Sequence, residues 1–187
     1  MRELTADMFL TLDGFSADAE GTQRWVHGGP DFARCIQEVL AEPQVLVLGR
    51  VTYQTLAAGF GSSAAGTDPV TDRMNAVPKL VFSNTLEEPL AWANARLASR
   101  TLAEEITALK KEAGDPLRTV GSIQVVRSLM GLGLVDRIRL MVFPLILGRN
   151  GRKPLFAEYS ETALERVGST VLDTNVMLLE YRPRAHA

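Results

Sequence analysis

Val45-Leu46-Val47-Leu48-Gly49-Arg50-Val51-Thr52-Tyr53 decides the fold, because an unbroken apolar strand runs into a glycine, an arginine and a new helical pattern. Four consecutive apolar side chains suit a parallel strand covered on both faces. Such sheets bind ligands where the carboxyl ends of strands meet helix starts. The pattern recurs twice. Lys79-Leu80-Val81-Phe82 ends in Ser83-Asn84-Thr85, and Leu117-Arg118-Thr119-Val120 ends in Gly121-Ser122, which opens the helical run Ile123, Val126, Leu129, Met130. Three strand ends therefore share one polar, anion-friendly chemistry.

Working outward, Leu4, Ala6, Met8 and Leu10 alternate with Glu3, Thr5, Asp7 and Phe9, the period of a strand with one face more buried than the other, and Asp13-Gly14 breaks it. Phe32, Cys35, Ile36, Val39 and Leu40 form a helical stripe that Pro43 closes before the strand at Val45. A second helix begins after Arg50, and Phe60 to Pro69 reads as a surface loop rich in small and turn residues. Thr101 with Glu104 makes a capping box before Leu102, Ile106 and Leu109, and Gly114 sits where a helix C-terminus favours it. Downstream, Leu134 to Val142 reads as strand until Pro144. Leu164 to Leu172 and Val176 to Tyr181 read as two more, joined by Asp173-Thr174-Asn175 as a hairpin turn. The fold class is α/β: a central mixed sheet, parallel and helix-linked first, closed by a C-terminal antiparallel hairpin.

A chain of 187 residues fits one domain spanning 1–187, large enough to bury roughly 70% of its unfolded surface without a disulfide or metal staple. Cys35 is the single cysteine, and His27 and His186 add no cluster at metal-ligand spacing, so no metal is expected and a reducing, cytoplasmic setting is. The first residues carry acids where a signal peptide would need an apolar core, and no apolar run approaches a membrane span. Lysine and arginine total 20 against 22 acids, a formal charge of -2, so no global field points to nucleic acid or an anionic membrane.

At a helix start, unpaired N–H groups and a partial positive charge favour phosphate, and Gly49 and Gly121 would let it approach bare backbone. Equally, these glycines could supply only unusual backbone angles, and Ser122 only a helix cap. Arg50 offers a planar fork suited to phosphate oxygens, or a surface ion pair. Gly131-Leu132-Gly133 follows a helix and reads as a turn, and Gly148 to Lys153 is no P-loop. That basic turn reads either as a contact for a substrate anion or as a solvated hairpin loop. Asp31, near Trp25 and His27, is either a carboxylate for an amino-substituted heterocycle or an ordinary N-cap. Asp13 is either half of a turn pair or a second carboxylate at the ligand cleft. His27 has no serine or cysteine partner in sequence for a hydrolytic triad.

In order and spacing, Thr11-Leu12-Asp13-Gly14, Leu48 to Tyr53, Val81 to Leu86, Val120-Gly121-Ser122 and Gly133-Leu134-Val135-Asp136 resemble one known group. The resemblance is to the dihydrofolate reductase-like family that includes the C-terminal reductase domain of riboflavin-biosynthesis deaminase/reductases. It continues through Phe143 to Gly148 and Pro154-Leu155-Phe156, covering nearly the whole chain. It implies a central mixed sheet with flanking helices, NADPH as cofactor and a homodimer. By the same resemblance, Gly49, Arg50 and Thr52 match the turn that contacts cofactor phosphates. Ser83 and Thr85 match the turn near the adenosine ribose and its 2'-phosphate. Gly121, Ser122 and Ile123 match the turn under the pyrophosphate.

Trp25 and Asp31 resemble the tryptophan and acid of the folate pocket, but Val26-His27-Gly28-Gly29-Pro30 departs from the usual spacer, which points away from folate. Asp136-Arg137 stands where the family often has an acid pair, a departure expected to touch a dimer contact or surface bridge. No zinc-binding deaminase domain is present in this sequence. The expected function is an NADPH-dependent oxidoreductase, a stand-alone reductase of a small planar, nitrogen-containing substrate. Trp25 and Phe143 would serve as walls and Asp31, with Asp13 second, as the catalytic acid. The competing class is a non-catalytic nucleotide-binding or interaction protein on the same scaffold.

Overall fold

A computed structural model describes residues 1–61, 66, 68–157 and 161–184. In chain order the elements are β1 (Leu4–Thr11), β2 (Phe15–Ala17), α1 (Pro30–Ala41), β3 (Val45–Gly49), α2 (Arg50–Leu56), α3 (Pro69–Ala76), β4 (Lys79–Phe82) and β5 (Ala95–Leu97). They continue with α4 (Leu102–Lys111), β6 (Leu117–Val120), α5 (Ile123–Gly131), β7 (Arg137–Phe143), β8 (Arg152–Pro154), β9 (Leu164–Val171) and β10 (Met177–Pro183). The eight-stranded sheet runs β5-β4-β3-β6-β1-β7-β10-β9, and β2 pairs with β8 in a separate ribbon. From β5 to β7 every neighbour is parallel, whereas β10 lies antiparallel to both β7 and β9. This is the expected mixed sheet with its closing hairpin.

The alternation in β1 sorts the core. Leu4, Ala6, Met8 and Leu10 enter a cluster with Val47, Leu80, Ile106 and the α5 residues Ile123, Val126 and Leu129. On the other face Leu46, Leu48 and Val81 pack with Leu40, Tyr53, Met74 and Trp92. Val45 to Leu48 thus divide between two helical layers, which is why the run shows no polar face. A third cluster, centred on Trp25, Met141 and Phe143, packs beneath the start of α1.

Several boundaries differ from expectation. The strand expected from Leu134 begins at Arg137, because the preceding residues are engaged elsewhere. The Leu4 N–H donates to Asp136 Oδ2 at 2.7 Å, and Lys110 Nζ donates to the Leu134 carbonyl and pairs with Asp136. Arg137 Nε pairs with Glu3 at 2.9 Å, so Asp136 and Arg137 both serve intramolecular bridges. The basic turn is ordered structure: Gly148–Asn150 is a 3-10 turn, and Arg152–Pro154 pairs with β2. The expected loop from Phe60 to Pro69 includes residues 62–65 and 67, which lie outside the described residues, as does His186. Its first residues extend α2 as a π-helical turn, Ala57–Gly61, and Pro69 opens α3 after Asp68, whose carboxylate accepts from the Val70 and Thr71 amides. Thr101 and Glu104 form the expected capping box.

Candidate active site

The parallel strands all end on one edge of the sheet, and the register aligns those ends: Gly49 faces Phe82 across β3–β4, and Thr11 faces Phe143 across β1–β7. The chain builds outward from β1 through β3 to β5, then returns to insert β6 between β3 and β1. That reversal makes the ends of β3 and β6 a topological switch point, the place where open α/β sheets admit ligands.

Here Gly49 and Ser122 meet. The Gly49 N–H donates to Ser122 Oγ at 3.0 Å, tying the start of α2 to the start of α5. A Cβ added at Gly49 would stand 3.2 Å from a Val125 methyl, so the turn is held tight against α5. Gly121 and Ser122 both take left-handed backbone angles, φ +65° and +60°, before α5 begins. Such a left-to-right transition turns successive N–H groups toward one side, and the first amides of a helix have no intrahelical acceptor. The Gly121 N–H itself donates to the Asp7 carbonyl at 3.1 Å, fixing the turn to β1. The result is a pair of neighbouring helix starts with bare backbone, a fit for the phosphates of a dinucleotide.

The remaining expected cofactor residues fall around this pair. The Thr52 methyl faces Gly121, 3.9 Å from where a Cβ would sit. Arg50 is exposed, its Nη1 donating to Gln54 Oε1 at 3.2 Å, with no carboxylate partner among the described residues. Ile123 is buried in the core, so only its backbone is available. Ser83 and Thr85 follow the end of β4, beside Gly49. Ser83 Oγ accepts from the Thr85 and Leu86 amides at 3.1 and 3.0 Å, which shapes that turn. Ser122 makes no side-chain cap; its hydroxyl is turned to Gly49 instead.

The expected substrate residues lie at the ends of β1 and β7. Trp25 and Phe143 pack edge to face with centroids 5.2 Å apart, and Phe32 and Phe9 contact Phe143 at 5.8 and 6.0 Å. Trp25 and Phe143 are buried, while Phe9 and Phe32 remain partly exposed. Asp31 is not the N-cap of α1. Gly29 holds that position, and Asp31 forms an exposed 2.7 Å pair with Arg34. The capping carboxylate comes from Asp173, which accepts the N–H groups of Gly29, Asp31 and Phe32 at 3.1, 2.7 and 3.2 Å. Nothing local in the sequence signals this partner, because it comes from the turn between β9 and β10. Asp13 is occupied too: it accepts from Thr11 Oγ1 at 2.6 Å and from the Leu147 and Gly148 amides at 3.3 and 2.7 Å. Desolvation is the largest single influence on Asp13 and opposes its ionisation, but these hydrogen bonds together outweigh it and hold its pKa below the ordinary carboxylate value.

Two cavities lie away from this edge. One of about 290 Å³ sits beside α5, floored by Met8, Ile138 and Leu155. The other, about 340 Å³, lies near the amino ends of β3 and β4 beside Lys79 and Arg96.

Comparison with known proteins places this geometry. The model of a family described as the RibD C-terminal domain matches residues 2–178. The uncharacterized protein YyaP of Bacillus subtilis (strain 168) is 26% identical over 186 residues, covering 96% of this chain and 94% of its own. A pyrimidine reductase-like protein from Corynebacterium diphtheriae has a TM-score of 0.72 at 16% identity, over 99% of this chain and 93% of its own. A dihydrofolate reductase from Enterococcus faecalis complexed with NADP(H) has a TM-score of 0.62 at 14% identity, over 98% and 97%. At these identities the structural likenesses establish a dihydrofolate reductase-like fold. No helix among the described residues is long and apolar enough to cross a membrane.

Proposed function

The chain belongs to the RibD C-terminal domain family, and on that premise we propose that it is an NADPH-dependent reductase acting on a small planar, nitrogen-containing compound. One domain, residues 1–187, carries the whole site, in a cytoplasmic homodimer. The observation that carries the reading is the Ser122–Gly49 hydrogen bond, which sets two helix starts side by side at the switch point of the sheet.

In this reading the amides that follow Gly49 at the start of α2, with those of Ser122 and Ile123, hold the pyrophosphate, and Gly121 and Thr52 complete the contact surface. Arg50, free of any carboxylate among the described residues, and the Ser83–Thr85 turn receive the 2'-phosphate end. Bound NADPH supplies hydride; the protein's contribution is to bring the acceptor carbon into contact and exclude water. The aromatic cluster of Trp25, Phe143, Phe9 and Phe32 forms the substrate wall at the ends of β1 and β7. Asp31 stands one residue from that wall and is solvent-accessible, which suits it to exchange a proton with substrate through water. Asp13, bound by two amides and a hydroxyl, acts by holding the Leu145 to Gly148 segment against the end of β1.

The test is NADPH consumption with quinonoid, pteridine and aminouracil compounds. Turnover with one class and loss of rate in Asp31→Asn support the reading. NADPH binding with no turnover across all three would favour a non-catalytic nucleotide-binding protein instead.

A further inference from the structure

The cavity of about 340 Å³ at the amino ends of β3 and β4 lies on the sheet edge opposite the proposed coenzyme site. Its apolar walls come from the α4 face of the sheet. Leu80 of β4 and Arg96 of β5 are register partners, so their side chains share a face, and Leu80 packs in the same core cluster as Ile106 of α4. Val45 at the start of β3 and Leu109 in the last turn of α4 sit at the margin of that cluster and stay partly buried. Between them the core stops short. An apolar cavity of ~150 Å³ already admits benzene, so this one holds a ring with a side arm.

The rim is cationic and held in place. The Arg2 N–H donates to the Lys110 carbonyl at 3.0 Å, and its Nε donates to the Asp115 carbonyl. At Gly114, where φ is +146°, an added Cβ would stand 3.4 Å from Arg2 Cζ, so the guanidinium lies against that turn. Fixed in this way, Arg2 keeps Nη1 and Nη2 without a hydrogen-bond partner or a carboxylate among the described residues. Arg96 lines the cavity as well. Its Nη2 is 3.2 Å from Glu105 Oε1, but that buried carboxylate also holds Arg100 Nε at 2.9 Å, so the three side chains keep one net positive charge. A guanidinium offers paired N–H groups to the two oxygens of a carboxylate, and the walls favour an apolar body attached to it.

We infer that this cavity is a second ligand site, for a small monocarboxylic acid with an aromatic body. The ring lies between Val45, Leu80 and Leu109, the carboxylate on the free Nη groups of Arg2, and Arg96 adds to the attracting field. None of these residues belongs to the proposed coenzyme or substrate site, so the inference stands apart from the reductase reading.

Calorimetric titration of the protein with phenylacetate, phenylacetamide and acetate tests this. Phenylacetate is expected to bind with a dissociation constant of ~1 mM or lower. Phenylacetamide, which lacks the charge, and acetate, which lacks the ring, should each bind at least ~10-fold more weakly. Arg2→Gln should bring phenylacetate within ~3-fold of the amide, and Leu109→Trp, which fills the cavity, should abolish binding of both. In amide NMR spectra of the wild type, phenylacetate should shift the signals of Arg2, Leu80, Arg96 and Leu109 and leave those of Gly49 and Ser122 in place. The proposal is overturned by no phenylacetate binding at ~10 mM, by equal affinity for acid and amide, or by shifts centred on Gly49 and Ser122. Those three outcomes need only the wild-type protein. Discrimination that survives Arg2→Gln also overturns it.

Discussion

The Ser122 hydroxyl accepts the backbone N–H of Gly49 at 3.0 Å, joining the first residue of α5's approach to the last residue of β3. Residues 73 positions apart in sequence thereby set the spacing between two helix starts. Ser122→Ala removes the acceptor and leaves a partly buried N–H unpaired, a loss of about 1–3 kcal/mol. The expected outcome is NADPH affinity lowered by roughly 10-fold or more, read by titration, with a smaller fall in melting temperature. An unchanged dissociation constant would remove this bond from the site.

In the proposed reading, Arg50 contacts the phosphate that distinguishes the two nicotinamide coenzymes. A charge-assisted bond of this kind contributes about 1.5–3 kcal/mol, so Arg50→Ala should weaken NADPH by roughly 10- to 100-fold and NADH far less. The NADPH loss should shrink as salt rises, because the guanidinium is exposed. Equal losses for both coenzymes would deny Arg50 any selectivity.

Asp173 organises the start of α1 from across the chain, accepting from Gly29, Asp31 and Phe32. A Cβ at Gly29 would stand 2.3 Å from its Oδ2, which explains the glycine there. Asp173→Ala should destabilise the fold by about 2 kcal/mol, since a cap carboxylate with several amide donors is lost. For a chain of this size that is roughly 4–8 °C in melting temperature. A variant melting with the wild type would show that α1 does not need this cap.

Lys79 is 1% exposed, and its Nζ donates to the carbonyls of Asn75, Val77 and Ala93 at 3.2, 2.8 and 2.9 Å while lying 4.3 Å from the Trp92 ring centroid. Desolvation pulls its pKa from 10.5 down to about 8. Between those values the unfolded chain holds a proton that the folded chain has released, so stability rises with pH across that window. Compared with Lys79→Met by urea denaturation, the wild type should gain between pH 8 and 10.5. A constant difference between the two proteins would place the folded pKa near its ordinary value.

The strands and most helices were legible because burial on both faces, alternation and capping pairs are local signals. Val45 to Leu48 and Thr101 with Glu104 are instances. The convergence of the strand ends was also legible, through their repeated strand-to-turn chemistry. What was hidden depends on distant partners. The short strands Phe15–Ala17 and Arg152–Pro154 exist only because they pair with each other. Asp31 looked like a cap because nothing near it announces that Asp173 takes that role. The Asp7–Arg118 ion pair was hidden for a different reason: in sequence, charges at alternate strand positions look like a solvated face, and only the pairing of β1 with β6 brings these two together.

The central claim is that one sheet edge binds NADPH, and thermal unfolding with each coenzyme tests it most directly. NADPH at ~100 times its dissociation constant should stabilise the protein by about 2.7 kcal/mol, a rise of roughly 5–10 °C, with a smaller rise for NADH at the same concentration. A melting temperature unmoved by either coenzyme at millimolar concentration would contradict the account.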